Sequence, residues 1–287
     1  MQGTVDGFSY GVVTPLVAYL MACLGGALGL RCTTRSMLVA RSSRPAWLAL
    51  GAAAIGSGIW TMHFVAMMGF TVRETPVHYD KSTTYASLGL AIVMVGIGIF
   101  IVGYRGATGT ALFTGGTITG LGVASMHYLG MAGMRLNGKL EYNTLTVAAS
   151  VVIAVVAATA ALWAAGQVRG FLWSVGASLV MGLAVSGMHY TGMAALSIHL
   201  HGTAGTPAGD SPAALLAPML IGPLAFLLLA GVVVMFDPLM VMGKPDFTRV
   251  EHKPGVPAGG VAHPGRRPAP RPVRPQGHHS SRTPQNR

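Results

Sequence analysis

Three histidines, His63, His127 and His189, sit in the same short phrase. The segments TMHFVAMMGF (61–70), SMHYLGMAGM (125–134) and GMHYTGMAAL (187–196) align without gaps on a shared core of Met-His-aromatic-x-small-Met. On a helix, residues four apart share a face. His63 then lies beside Met67, His127 beside Met131 and His189 beside Met193, with Met134 further along the second stripe. Eight of the 17 methionines fall in windows covering 33 of 287 residues, where chance would place about two. Imidazole with thioether is a ligand set that suits copper, and thioether favours Cu(I). Zinc sites recruit Cys, His or carboxylate and rarely Met. Methionine is also a flexible packing side chain, so the enrichment alone does not require ligation. The three aligned histidines make metal binding the stronger expectation.

The elements that must position these residues are membrane helices. Crossing the hydrocarbon core takes about 20 apolar residues. Seven stretches qualify: 8–30, 45–70, 84–104, 108–134, 145–166, 171–196 and 212–236. Charged residues make up 9% of the chain, against about 25% in soluble domains. The histidine spacings of 64 and 62 residues match a pair of membrane helices with their loops. An even-helix repeat keeps its orientation, so the repeats are parallel and all three motifs reach one depth. The expected fold is an all-α membrane protein of seven transmembrane helices, with three parallel two-helix repeats after a first helix. Small residues precede each motif: Gly56 and Gly58, Gly120 and Gly122, Gly182 and Ala184. They are expected to let the second, fourth and sixth helices approach closely. Trp60, Phe64, Tyr128 and Tyr190 read as interfacial anchors. His78, His199 and His201 fall in outer loops, as ordinary surface histidines or as an entry path for metal.

The loops set the orientation. Arg31, Arg35, Arg41 and Arg44 after the first span, Arg105, Arg169 and nine cations of the tail place fifteen Lys or Arg on one side. Arg73, Lys81, Arg135 and Lys139 face the other. By the positive-inside rule the N-terminus is outside and the C-terminus in the cytoplasm. The net charge of +11 therefore reflects topology and a tail, and no nucleic-acid partner is expected. The start of the chain lacks a basic segment before its first apolar span, which reads as a retained helix. Residues 1–240 form the expected membrane domain. Residues 241–287, rich in Pro and Arg, lack the apolar bulk to fold and read as a disordered cytoplasmic tail, with docking to anionic lipid or an acidic partner as the sharper alternative. Cys23 and Cys32 form no CxxC pair, and no disulfide is expected.

The thrice-repeated phrase resembles the MHYT domain, named for Met-His-Tyr-Thr. Met188-His189-Tyr190-Thr191 matches letter for letter, Met126-His127-Tyr128-Leu129 differs at the last position, and Met62-His63-Phe64-Val65 at two. The resemblance covers about residues 8 to 240. It implies a bacterial inner-membrane, multi-pass sensor that binds copper and detects oxygen, carbon monoxide or nitric oxide. Carried over by position, the metal ligands are Met62, His63, Met67, Met126, His127, Met131, Met188, His189 and Met193. Many family members continue into a cyclase, phosphodiesterase or kinase domain. This chain instead continues into a tail, so output is expected through a separate cytoplasmic partner.

Two other readings use the same residues: a copper transporter or carrier, and a haem protein with two of the histidines as axial ligands. A retinal protein is excluded because no span holds the Schiff-base Lys it needs. A membrane zinc hydrolase would want an acid beside its histidines, and the spans hold none. No enzymatic activity is expected.

Overall fold

The computed structural model describes residues 2–7, 9–167, 171–200 and 211–237. Seven helices dominate: α1 (Val13–Leu38), α2 (Arg44–Met68), α3 (Lys81–Arg105), α4 (Gly109–Ala132), α5 (Thr144–Gln167), α6 (Phe171–Ala194) and α7 (Pro212–Met235). Six are long and apolar enough to cross a membrane. The exception is α4, where repeated Gly and Thr dilute the hydropathy over 24 residues that carry no formal charge. The disordered tail expected from the sequence lies outside the described residues, as does His201.

Helix starts follow local chemistry. Asp80 caps α3 by accepting from the Thr83 amide at 2.8 Å, and Thr108 and Ser211 cap α4 and α7. Pro45 occupies the first turn of α2, where a missing N–H costs nothing. Helix α1 runs past the expected end of its span through Arg31, Cys32 and Arg35. This polar stretch stays helical because Thr33 Oγ1 donates to the Gly29 carbonyl and Arg35 pairs with Asp237 at 2.8 Å. Arg31 and Arg35 are therefore helical, not loop, residues, and Arg44 opens α2.

Six short strands, all at the motif end of the bundle, lace the helices together. These are β1 (Val5–Asp6), β2 (Thr71–Val72), β3 (His78–Tyr79), β4 (Met134–Arg135), β5 (Gly138–Tyr142) and β6 (Leu196–Leu200). They pair antiparallel as β1 with β2, β3 with β4 and β5 with β6. Each ladder joins the segment before an odd helix to the segment after the next even one. The structural repeat is thus a β-α-α-β hairpin, formed by α1–α2, α3–α4 and α5–α6. The sequence reading set the unpaired helix first; the structure makes it the last, α7.

The three hairpins close into a ring. Each of α1 to α6 packs on the next, α6 returns to α1, and α7 lies outside against α2 and α1. The glycines ahead of the motifs are what let the ring close. A Cβ on Gly56 would meet the Ile92 backbone of α3 at 2.8 Å, and one on Gly120 would meet Val155 of α5. A Cβ on Gly182 would meet Cys23 Sγ of α1 at 2.5 Å, and one on Gly58 the Gly25 backbone at 2.6 Å. These positions therefore seat each even helix against its odd neighbours, and the expected approach of α2, α4 and α6 is achieved elsewhere. Cys23 and Cys32 are buried and free.

Candidate metal centre

Helices α2, α4 and α6 carry His63, His127 and His189 to the middle of the ring, each no more than 1% exposed. Their Nδ1 atoms form a nearly equilateral triangle. The sides are 3.0 Å from His63 to His189, 3.2 Å from His127 to His63 and 3.3 Å from His189 to His127. The rings stand at 76° to 89° to one another, like propeller blades. Each histidine also lies edge-on to its own following aromatic, at centroid distances of 4.5, 4.8 and 4.9 Å. The three repeats are thus copies in space as well as in sequence. Among the described residues this is the one group of three or more His, Cys, Asp or Glu side chains close enough to share an ion.

What brings α2, α4 and α6 together is the small residue three positions after each histidine. A Cβ on Gly130 would lie 2.7 Å from Nε2 of His63, and one on Gly192 would lie 2.5 Å from Nε2 of His127. The edges of His63 and His127 thus each rest on the motif glycine of the following hairpin, while the first motif carries Ala66 at this position. The shared phrase contains this signal as its small position. The reason for it is invisible without the packing.

The triangle has an electrostatic conflict built in. A neutral imidazole nitrogen is either a donor or an acceptor. Around three mutually adjacent nitrogens at least two must be alike, so no choice of tautomers satisfies all three sides. If all three lone pairs face inward, the protons fall on Nε2, and those of His63 and His127 are buried without a hydrogen-bond partner. A shared cation resolves the inward conflict. The nitrogens lie about 1.8 Å from their common centre, close to the ~2.0–2.1 Å that imidazole nitrogen keeps from a metal such as zinc. The donor set therefore fits a metal ion. Imidazole's usual outer partner is a carboxylate, carbonyl or water; at His63 and His127 that place is taken by the glycine backbones.

Of the other expected ligands, Met62, Met67, Met126, Met131 and Met188 are buried in the same core, and Met193 packs at its edge half-buried. Trp60 and Phe64 are 0% exposed, which corrects their reading as interfacial anchors. Trp60 Nε1 donates to the Thr84 carbonyl at 3.1 Å and to Ser87 Oγ at 3.0 Å. The equivalent serine on α5, Ser150, bonds the hydroxyl of Tyr128 from the second repeat at 2.7 Å. Phe64 replaces Tyr where Trp60 already uses the serine. His78 lies exposed on β3, and His199 on β6 faces Glu141 at 3.5 Å.

Residues 56–115 and 120–178 match the MHYT family, described as a bacterial signalling protein N-terminal repeat. MucR of Pseudomonas aeruginosa, a bifunctional diguanylate cyclase/cyclic di-GMP phosphodiesterase, is 38% identical over 197 residues, 67% of this chain and 29% of MucR. The chain belongs to the MHYT family. Its first two MHYT repeats hold His63 and His127, and His189 lies beyond the matched segments. NbdA of the same organism, a cyclic di-GMP phosphodiesterase, is 35% identical over 219 residues, 72% of this chain and 27% of NbdA. The signalling protein YkoW of Bacillus subtilis is 29% identical over 198 residues, 67% of this chain and 24% of its own length. This MHYT chain spans less than a third of the length of these relatives. No solved structure matches it.

Proposed function

We propose that the chain is a membrane sensor in which His63, His127 and His189 hold Cu(I), and that a diatomic gas or a change of redox state at that ion is the signal. The observation that carries the reading is the convergence of three buried Nδ1 atoms that cannot satisfy one another. A neutral imidazole set with no carboxylate behind it, in a core holding Met62, Met67, Met126, Met131, Met188 and Met193, suits a soft monovalent ion better than zinc. Copper would supply an open coordination position for oxygen, carbon monoxide or nitric oxide.

In this reading all seven helices cross the bacterial inner membrane, α4 included, since it is within one residue of its neighbours in length and packs between α3 and α5. The arginines of the end opposite the strands support a cytoplasmic setting for that end. Output passes to a cytoplasmic signalling domain or partner, of the cyclic di-GMP kind that the names of MucR and NbdA record. A transport path would continue as ligands at several depths, and the space inward of the triad is lined mainly by Ile, Val, Leu and Ala, with Met181 and Met188 as its only thioethers among the described residues and no His, Cys or carboxylate. A haem would have to pass between two imidazoles that touch one another.

The test is anaerobic Cu(I) loading of the detergent-purified protein, with bound metal measured by mass spectrometry. A stoichiometric ion in the parent, lost in a folded His63→Ala/His127→Ala/His189→Ala variant, is expected. Equal or negligible copper in both would overturn the proposal. Unchanged spectra of the loaded protein under all three gases would remove the gas-sensing part.

A further inference from the structure

One turn inward of the triad, each even helix presents a β-branched side chain: Ile59, Val123 and Val185, each four residues before a histidine. Residues four apart share a face, so these three form an apolar collar beneath the imidazoles. They also open a cavity on the ring axis, walled by all six helices α1 to α6. Its volume, as traced by the centres of water-sized molecules, is about 40 Å³, above the ~10–15 Å³ that one water requires. Along α5 its lining covers 154–165, about 16 Å at 1.5 Å per residue.

Two features make this a built chamber. The first is its α5 wall, where Ala154, Ala157, Ala158, Ala161 and Ala165 all face the space. A void forfeits dispersion contacts, and longer side chains at these positions would fill it. The second is polarity. Among the described residues, Thr33 and Thr119 are the only hydroxyl-bearing ones in the lining, and Thr33 Oγ1 donates to the Gly29 carbonyl at 2.9 Å. That leaves the partnerless Thr119 Oγ1, whereas a buried water makes two to four hydrogen bonds. Apolar cavities of this kind stay dry and take up xenon or small hydrocarbons.

We infer that this chamber binds a small apolar molecule of the diatomic-gas class and delivers it to the triad through the collar. The delivery role rests on the proposal that the triad is a gas-responsive metal centre; the binding role does not. The chamber is tested first, on metal-free protein in lipid nanodiscs, by xenon NMR. A saturable resonance distinct from lipid-dissolved xenon is expected. It should be lost in Ala158→Leu and retained in Thr119→Val, which removes the one unpaired polar group. Where Ala158→Leu does not fold, Ala161→Leu on the same wall replaces it. Absence of a saturable site, persistence of the signal in the filled variant, or a co-purified acyl chain that excludes xenon would overturn the inference. The delivery role is read on Cu(I)-loaded protein by carbon monoxide rebinding after photolysis. Ala158→Leu should slow it severalfold with copper content unchanged, and an unchanged rate would overturn delivery. Failure to bind copper at all would sink the metal proposal while leaving the xenon result intact.

Discussion

Gly130→Ala is the most direct probe of how the triad is held. The added methyl would lie 2.7 Å from Nε2 of His63, 3.1 Å from its Cδ2 and 3.1 Å from Cζ of Phe64. Ordinary heavy-atom contacts are ~3.5–4.0 Å, so the ring must retreat by about 0.8 Å. Its Nδ1 moves with it, beyond the ~0.5 Å within which a site's geometry must be held. Displaced outer support lowers metal affinity by about 10- to 100-fold, or ~1.4–2.8 kcal/mol. The fold is affected less. Overpacking costs about 1–3 kcal/mol, and replacing a helical Gly by Ala returns about 1 kcal/mol, leaving a net loss of about 0–2 kcal/mol. Copper binding and folding therefore separate in this variant. The assay is Cu(I) titration against a competing chelator, with thermal unfolding in the same detergent. Gly187→Ala is the control, because no heavy atom lies within 4 Å of its added methyl. Unchanged copper affinity in Gly130→Ala, or an equal loss in Gly187→Ala, would refute the reasoning.

Other perturbations test the frame around the site. Tyr128→Phe removes the 2.7 Å bond to Ser150 and should cost about 0.5–1.5 kcal/mol, whereas Phe64→Tyr should cost about 1–3 kcal/mol because Ser87 already serves Trp60; stabilisation by Phe64→Tyr in an unfolding assay would count against the repeat argument. Asp237→Leu takes the carboxylate away from Arg35 in a part-buried ion pair and should cost about 3–5 kcal/mol, with the Arg35→Leu/Asp237→Leu double variant recovering much of it; a double variant less stable than Asp237→Leu would contradict this in the same assay. Asp80 accepts from the hydroxyls of Ser82 and Thr83 and from the Thr83 amide, which hold its carboxyl well below the usual carboxylate range. Its contribution is present above about pH 4, the unfolded value, and disappears as pH falls through the lower folded value. The melting-temperature gap between parent and Asp80→Ala should then be constant from neutral pH to about pH 4 and close below it; a gap that widens on acidification would reverse the assignment.

The histidines and the seven helices were legible because apolar runs and a 64-residue echo are one-dimensional signals. Helix ends were not, since apolarity marks burial and α1 continues on side-chain bonds from Thr33 and a partner 202 residues away, Asp237. The frame of the repeat was also hidden. Spacing between histidines is the same whether α1 or α7 is the unpaired helix, and the deciding ladders are only two to five residues long. The period-two alternation of Leu196, Ile198 and Leu200 was a readable strand signal at the end of α6. The glycines were rightly marked for close approach, but their partners could not be assigned, because a glycine does not say which neighbour it admits. The role of Gly130 and Gly192 depends on which hairpin follows which around the ring.

That closure bears on how many copies the architecture can hold. Three hairpins fill the circle, with α6 meeting α1 where Gly182 admits Cys23. A fourth duplication inserted there would part these two helices, widen the circle and draw the imidazoles away from their shared centre. A duplication added after α7 would instead begin outside the circle, where α7 itself packs against α2 and α1. Copy number is therefore fixed by the size of the hole that three rings can close, and growth by tandem duplication ends at three.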